Sequence, residues 1–167
     1  WGIMIISRLF SESDAQMVSN LVTTTMLTTN IKEYTREYLE KDIKERTPYF
    51  FIKLSQYAHC YVFIDKNCDE IIGYGAIGPY WDKKDESSLF NIFIRPDYQG
   101  RGIGRKLIYT LENDPFFKRA KRIEVPASIT ALEFYEKMGY TFKNDDSRLD
   151  DERLFHLEKY NSHWTKS

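Results

Sequence analysis

Residues 91–112 read NIFIRPDYQGRGIGRKLIYTLE, an apolar strand-like run that passes through a glycine-rich turn into a helical pattern. In the turn, three glycines alternate with two other residues: Gly100, Arg101, Gly102, Ile103 and Gly104. Glycine lets a backbone approach a ligand closely because it has no Cβ. The first turn of a helix also leaves amide N–H groups free to bind an anion. The stretch therefore predicts a phosphate or diphosphate site where the strand meets the helix.

Two familiar phosphate-binding motifs do not fit this stretch. The Gly-Lys-Ser/Thr ending of the P-loop is missing, and the GxGxxG spacing of dinucleotide-binding folds is not met. Arg101, Arg105 and Lys106 are expected to add positive charge around the turn. The alternative for Arg101 and Arg105 is that they are solvated charges on the surface of the helix. The glycines around them favour a position close to phosphate.

The composition is that of one globular domain covering residues 1–167. Of its 167 residues, 42% are hydrophobic and 29% charged, and the formal net charge is −1. Such a charge gives no long-range attraction to nucleic acid or to an anionic membrane, so neither is an expected partner. No apolar run is long enough to span a membrane and no signal peptide is recognisable. The two cysteines, expected to be reduced, predict a cytoplasmic protein.

The cysteine and histidine spacing indicates neither a disulfide framework nor a metal site. The two cysteines, Cys60 and Cys68, are expected to be reduced thiols. The three histidines are scattered without metal-ligand spacing: His59, His156 and His163. The first three residues precede Met4 and are expected to be foreign to the native chain.

Hydrophobic periodicity on both sides of the turn predicts a mixed α/β domain. The predicted strands are residues 5–9, 59–65, 70–78, 88–95, 122–126, 140–143 and 153–160. Helical spacing of apolar residues predicts helices over residues 14–26, 31–43, 102–113 and 130–138, and favours a helix over a strand for residues 48–58. The sheet is expected to be mixed and mostly antiparallel, with about seven strands and helices on both faces.

Several short polar patterns predict helix ends. Ser11, Asn30 and Thr130 each precede an acidic residue by three positions, which is typical of an N-cap. Pro48 is expected to end the second helix, and Gly139 the last one.

The run of residues 95–104 resembles the signature of the GNAT superfamily of N-acetyltransferases, Gln/Arg-x-x-Gly-x-Gly/Ala after a strand, and residues 99–104 fit it throughout. The resemblance implies acetyl-CoA as the cofactor and a sheet whose strands diverge beside the preceding strand. It implies that the diphosphate is held, chiefly through backbone N–H groups, by Gly100, Arg101, Gly102, Ile103, Gly104 and Arg105, and that Gln99 also binds the cofactor. It further implies that the pantetheine arm pairs with the backbone of Ile92, Phe93 and Ile94.

A second segment, PASITALEFYEKMGY at residues 126–140, carries the other half of the resemblance. By analogy, Tyr135 lies near the cofactor sulfur and gives a proton to the departing thiolate, a role that suits a thiol with a pKa of about 8.5. The alternative is that Tyr135 is only an aromatic core residue on the apolar face of its helix. Ser128 stands where the family usually has Asn, and it either binds the pantetheine arm or only caps the helix.

The acceptor amine must lose a proton before it attacks, because an amine with a pKa of about 10.4 is charged at neutral pH. In one branch of the family a glutamate on the strand before the turn is the base. Counting back from Gln99 to the position of that glutamate reaches Ser88 in this sequence. Glu86, two residues from Ser88, is the first choice for the base. In another branch of the family the base lies on the next strand, and Glu124 is close to that position. The alternative for Glu86 and for Glu124, each taken alone, is that the side chain is only a solvated charge on the protein surface.

The sequence thus predicts an acetyl-CoA-dependent N-acetyltransferase whose acceptor is a primary amine of a small molecule or a peptide. The alternatives are a catalytically silent domain that senses CoA thioesters and a nucleotide-binding domain unrelated to CoA. Residues 12–46 and the loop 78–88 are expected to shape the acceptor pocket. An exposed edge of the strand at residues 153–160 is expected to serve a homodimer.

Overall fold

A computed structural model of the chain describes residues 3–166, so Trp1 and Gly2, two of the three residues expected to be foreign, lie outside the described residues. Its centre is a seven-stranded sheet in the order β1-β2-β3-β4-β5-β7-β6. The strands are β1 (Ile5–Leu9), β2 (His59–Asp65), β3 (Glu70–Pro79), β4 (Glu86–Ile94), β5 (Arg122–Ala127), β6 (Thr141–Phe142) and β7 (Phe155–Tyr160). Every pairing is antiparallel except that of β4 with β5. The predicted fold class is confirmed.

Helices cover both faces of this sheet. They are α1 (Ala15–Thr28), α2 (Arg36–Glu45), α3 (Pro48–Leu54), α4 (Ile103–Glu112), α5 (Pro115–Lys118) and α6 (Leu132–Lys137). One hydrophobic core joins the sheet to α1, α2 and α3, and the other joins it to α4, α5 and α6. Val62 and Phe63 are neighbours on β2 but belong to different cores, as the alternation of side chains along a strand requires.

Two predicted helix caps are wrong, at Asn30 and at Thr130. α2 begins after Thr35, whose Oγ1 accepts a hydrogen bond from the Tyr38 amide at 3.1 Å, because Asn30 belongs to a separate 3-10 turn. The second helix does end before Pro48, at Glu45, and Pro48 opens α3 at its first position, where a missing N–H costs nothing. Ser128, rather than Thr130, caps the 3-10 turn before α6 by accepting from the Ala131 amide at 3.2 Å.

The parallel strands β4 and β5 pair over a short distance and then diverge. Their register joins Glu86–Ser88 to Arg122–Glu124 and stops there. Farther along β4, Asn91 and Ile92 stand opposite the single residue Gly75 of β3, and Asn91 has a left-handed φ of 49°. This bulge bends β4 beyond the point where its pairing with β5 ends. One backbone edge of β4 is therefore available to a ligand, as the resemblance implied.

The last strand in the chain is not the outermost strand of the sheet. β7 lies between β5 and β6, but the two-residue strand β6 pairs only with Leu157 and Glu158 of β7. The rest of that side of β7 has no other described strand beside it, so the expected homodimer edge stays a prediction. Among residues 3–166, no helix combines the length and the apolar character needed to cross a bilayer.

Candidate active site

A cavity of about 790 Å³ lies where β4 and β5 diverge. Two groups of residues define its sides. The glycine wall consists of Gln99, Gly100, Gly102, Gly104 and Arg105, and the α2 wall consists of Tyr34, Tyr38, Asp42, Arg46, Asp150, Glu152 and His156. Between them run Ile92, Phe93 and Ile94 of β4, with Ser128, Thr130 and Tyr135 from the region of α6.

The glycines of the turn meet two different physical needs. Gly100 and Gly102 have φ values of 77° and 80°, which side-chain-bearing residues rarely adopt, and a Cβ on either would meet no atom within 4 Å. The backbone of the turn is therefore bare on the outside. Gly102 also caps α4, so the unpaired amides of the first helical turn begin at this bare surface.

Gly104 is required for packing rather than for backbone shape. A Cβ on Gly104 would lie 2.6 Å from Cε1 of Phe134, far inside van der Waals contact. The residue therefore lets α4 approach α6 closely. That approach brings Tyr135, the neighbour of Phe134, to the same cavity as the turn.

The structure separates the residues predicted around the turn into cavity-lining and structural ones. Arg105 is exposed and lines the cavity. Arg101 does not line it, and its guanidinium lies over the Tyr98 ring at 5.2 Å. Ile103 is a core residue, and Lys106 donates to the carbonyl of Ile5 instead of standing free beside the turn.

Gln99 connects the turn to its surroundings through its side-chain amide. Its Nε2 donates to the carbonyl oxygen of Ile94 at 3.0 Å and to Oγ1 of Thr29 at 3.4 Å. These bonds tie the turn to the end of β4 and to the end of α1. The side chain thus positions the glycine wall in addition to lining the cavity.

Tyr135 combines burial with access to the cavity. The residue is only 6% exposed, and its ring packs edge-to-face against Phe134 and Tyr140. Burial raises the pKa of the Tyr135 phenol above its ordinary value, so the hydroxyl keeps its proton at neutral pH. The residue can therefore hold a proton at the cavity wall without placing a charge there.

Glu86 does not line the cavity. Its carboxylate lies at the start of β4, where it accepts from Nε of Arg122 and pairs with Nζ of Lys83 at 3.2 Å. Burial alone would raise the pKa of Glu86, but these two cations outweigh it and lower that pKa. Counting positions along β4 could not reveal the ion pair between Glu86 and Arg122, because Arg122 belongs to the neighbouring strand β5.

The α2 wall includes residues of the segment 143–154, which connects β6 to β7. The hydroxyl of Tyr34 donates to the carbonyl of Arg153 at 2.8 Å and accepts from the amide of Ile129 at 2.9 Å. Tyr38 stacks on Tyr34 at 5.1 Å and donates to the carbonyl of Glu152. Of residues 12–46, which were expected to shape the acceptor pocket, Thr25, Met26 and several residues between 29 and 46 line the cavity, whereas the loop 78–88 does not line it.

Glu124, the alternative base, is buried beneath this wall. One carboxylate oxygen, Oε1, accepts from Nη1 of Arg122 at 2.8 Å and lies 3.2 Å from Nζ of Lys143. The other, Oε2, lies 2.9 Å from Nδ1 of His156. Burial would raise the pKa of Glu124, but the bonds from His156 and Arg122 and the charge of Lys143 lower it overall. Glu124 is thus connected to the cavity by His156, which lines it.

Comparison with known proteins agrees with this geometry. Residues 25–140 match the acetyltransferase (GNAT) family. A stretch of 60 residues is 43% identical to the ribosomal protein bS18-alanine N-acetyltransferase of Escherichia coli K12, covering 34% of this chain and 40% of that enzyme. The chain thus spans about 40% of the length of the curated relatives it matches.

Solved structures share the fold over nearly the whole chain. The PaiA N-acetyltransferase of Thermoplasma acidophilum, solved in complex with coenzyme A, has a TM-score of 0.80 at 18% identity, covering 95% of this chain and all of that one. A GCN5-related N-acetyltransferase from Rhodopseudomonas palustris has a TM-score of 0.75 at 20% identity, covering 96% and 99%. At these identities the likeness establishes the architecture.

Proposed function

The chain belongs to the acetyltransferase (GNAT) family, and we propose that it transfers the acetyl group of acetyl-CoA to a primary amine. One observation carries the proposal. The left-handed turn at Gly100 and Gly102 faces a cavity at the point where β4 and β5 diverge. A bare backbone at a helix start favours a diphosphate, and an unpaired strand edge favours the amides of a pantetheine arm.

The residues of this chain fit acetyl-CoA, the cofactor of this family, on two further counts. The open space outside Gly100 and Gly102 leaves room for a diphosphate against the amides of the turn, with Arg105 beside it. Thr130 Oγ1 is buried at the cavity wall and has no hydrogen-bond partner among the described residues. A buried hydroxyl normally finds a partner, and a polar cofactor group supplies one. Ser128 and the backbone of Ile92–Ile94 complete the proposed pantetheine site.

Bound acetyl-CoA supplies an activated acetyl thioester. Tyr135 is the proposed general acid, since its buried phenol is protonated at neutral pH and lines the cavity. A positioned acid of this kind contributes about 10²–10⁴ in rate. Glu86 was expected to be the base, but its distance from the cavity wall and its pairing with Arg122 support a structural role instead.

The acceptor is proposed to be a small polyamine or the α-amine of a peptide. Asp42, Asp150 and Glu152 place carboxylates on the α2 wall, which suits a cationic acceptor. The bS18-alanine N-acetyltransferase is named for a peptide α-amine, which supports the second option. We place the reaction in the cytoplasm because Cys60 and Cys68 are both free thiols.

Thermal shift and turnover measurements test the proposal together. Acetyl-CoA and CoA should stabilise the protein and ATP should not, because only the former pair offers a pantetheine arm. Release of free CoA thiol would then be followed with polyamines, aminoglycosides, amino acids and peptides. Stabilisation without CoA release for any amine would identify a sensor, and stabilisation by ATP alone would identify a nucleotide-binding domain.

A matched pair of glycine variants locates the binding site. Gly102 and Gly139 both have left-handed φ values, 80° and 93°, but only Gly102 lines the cavity. Gly102→Ala and Gly139→Ala therefore impose similar backbone strain at different places. Loss of acetyl-CoA binding in the first variant alone supports the turn as the diphosphate site. Equal losses in both would mean that strain, and not position, weakens binding.

A further inference from the structure

One carboxylate of the α2 wall keeps free hydrogen-bonding capacity. Asp42 is on α2, lines the cavity, and has a side chain that is 28% exposed. Among residues 3–166 its only ionic partner is Arg46, whose Nη2 lies 3.4 Å from Oδ1 of Asp42. That distance is longer than most N–H···O hydrogen bonds, and an ionised carboxylate can accept about four of them. Asp42 can therefore accept hydrogen bonds from a ligand in the cavity.

The other two carboxylates of the wall are less suited to a ligand. Asp150 accepts from the amides of Glu152 and Leu154 at 2.9 Å each, and its Oδ2 lies 2.7 Å from Nε2 of His156. Its bonding capacity is therefore used within the protein. Glu152 is exposed, so water weakens any ion pair that its carboxylate makes. Asp42 is the carboxylate of this wall that is both sheltered and free.

Arg46 relates the position of Asp42 to the edge of β4. Its Nε donates to Oδ1 of Asn91 at 2.9 Å, and its guanidinium lies over the ring of Phe50 at 4.6 Å. Asn91 belongs to the bulge of β4 and precedes Ile92, where the proposed pantetheine edge begins. Arg46 thus fixes a positive charge beside the proposed cofactor site, and Asp42 lies one helical turn before Arg46.

These two charges favour different protonation states of a bound amine. A nearby cation lowers the pKa of an amine, and a nearby carboxylate raises it. The nitrogen that attacks the thioester must be neutral, so the charge of Arg46 favours it and a contact with Asp42 does not. Asp42 suits an ammonium group that keeps its proton. An acceptor with two amino groups fits both positions.

We propose that Asp42 binds the ammonium group of a diamine acceptor that does not react, while the other nitrogen attacks beside the edge of β4. The inference rests on the proposed acetyl transfer and narrows its acceptor to an amine with a second positive charge. The charged end determines which amines bind, and the neutral end receives the acetyl group.

An aromatic ring extends the proposed ammonium site. Tyr38 lies four residues before Asp42 on the same side of α2 and also lines the cavity. Its ring stacks on Tyr34 at a centroid distance of 5.1 Å, and the faces of tyrosine rings attract cations. Burial, and after it the charge of Asp42, raises the pKa of Tyr38 to about 12. The phenol is therefore neutral at physiological pH and does not compete with the ammonium.

The ionised form of Asp42 does not stabilise the fold. Burial raises the pKa of Asp42, and Glu45 adds to the rise, whereas Arg46 offsets it only in part. An acid whose pKa is higher in the folded state makes the protein less stable once it is ionised. Charges that cost stability in a cavity are typical of functional sites. A bound ammonium would supply the compensation that the fold lacks.

Glu45 provides a matched control. It is on the same helix, its carboxylate lies 4.0 Å from Nη1 of Arg46, and it does not line the cavity. Asp42→Asn and Glu45→Gln therefore each remove one negative charge beside the same arginine, but only the first removes it from the cavity.

The experiment measures kcat/KM with acetyl-CoA for unbranched diamines of three to six carbons. Each is compared with the monoamine in which a methyl group replaces one ammonium. We expect the wild type to prefer the best diamine by about 10–100-fold, the value of a hydrogen bond to a charged group. Asp42→Asn should lose most of this preference while keeping its rate with the monoamine, and Glu45→Gln should keep the preference.

Three results of these rate measurements would overturn the inference. They are a wild type that shows no preference for any diamine, an Asp42→Asn variant that retains the preference, and a wild type that acetylates a peptide beginning with alanine better than every diamine.

A second readout does not depend on turnover. Calorimetric titration of the best diamine into the CoA-saturated protein should give an affinity about 10–100-fold weaker in Asp42→Asn than in the wild type. The Tm of Asp42→Asn should be at least that of the wild type. A lower Tm together with equal losses for diamine and monoamine would assign Asp42 a structural role and overturn the inference.

The two readouts separate this inference from the proposed function. If the wild type released no CoA with any amine, the proposed acetyl transfer would fail, and the titration would still decide whether Asp42 binds a diamine. Wild-type turnover with an unchanged diamine preference in Asp42→Asn would remove the inference alone.

Discussion

The glycine wall and the α2 wall face the same cavity but are built in different ways. The glycine wall comes from five of the seven consecutive positions 99–105, and three of these are glycines, which offer only backbone to the cavity. The α2 wall joins residues 34–46 to residues 150–156 and acts through side chains, with a hydrogen bond between Tyr34 and Arg153 that spans 119 positions. A site made by local backbone shape can be recognised from a motif. A site made by distant side chains depends on the completed fold.

The largest expected effect concerns Arg122, which lies at the base of the divergence between the two walls. It pairs with Glu86, Glu124 and Glu158 while only 9% exposed. Arg122→Gln should lower the free energy of unfolding by about 3–5 kcal/mol, because it removes the buried cation that three carboxylates share. Urea denaturation measures this. Arg148→Gln, at an exposed ion pair, is the control, and equal stability of the two variants would contradict the account.

Tyr135→Phe should separate chemistry from binding at the glycine wall. The variant removes only a hydroxyl, so we expect kcat to fall about a hundredfold while acetyl-CoA affinity is unchanged. Stopped-flow rates and calorimetric titration measure the two quantities. Tyr140→Phe is the control, because Tyr140 is also buried but bonds Glu112 outside the cavity. A parallel loss of affinity in Tyr135→Phe would assign the residue a packing role.

Gly104→Ala and Gly102→Ala should divide the glycine wall into a packing residue and a binding residue. Gly104→Ala should cost about 1–3 kcal/mol of stability, because its Cβ would overlap Phe134. Gly102→Ala should cost about 1–2 kcal/mol through its left-handed backbone, with its main effect on acetyl-CoA affinity. Thermal unfolding with and without acetyl-CoA distinguishes them. Identical profiles would show that the alternating glycines have one role.

Tyr34→Phe should affect the α2 wall and spare the glycine wall. It leaves the Ile129 amide and the Arg153 carbonyl without their partner, at a cost of about 1–3 kcal/mol. We expect a raised KM for the amine and an unchanged affinity for acetyl-CoA. Tyr57→Phe, at an exposed position, is the control. A change in acetyl-CoA affinity alone would mean that the two walls are not separable.

The smallest expected effect on activity is that of Glu86→Gln, because Glu86 lies outside both walls. Its pKa is lowered in the folded state, so its carboxylate stabilises the protein above the ordinary pKa and loses this contribution as pH falls through the folded value. The difference in unfolding free energy between wild type and variant should therefore shrink in acid. A strong loss of kcat/KM in the Glu86→Gln variant at neutral pH would instead indicate that Glu86 is the base.

The sequence allowed the glycine wall to be predicted because its signals lie in one short stretch. The strand, the turn and the helix follow each other directly, and Gly100 and Gly102 are the residues that left-handed turns favour. Glu86 was chosen by counting along one strand, whereas its environment is set by Arg122 on the next. His156 carried no local signal, since its partners Glu124 and Asp150 come together only through the pairing of β5 with β7 and the path of residues 143–154.

The most direct test of the account is a crystal structure of the protein with acetyl-CoA or CoA bound. The account predicts diphosphate oxygens within hydrogen-bond distance of the backbone amides between Gly100 and Arg105, and the pantetheine arm along the open edge of β4. A diphosphate bound elsewhere, with those amides facing solvent, would contradict it.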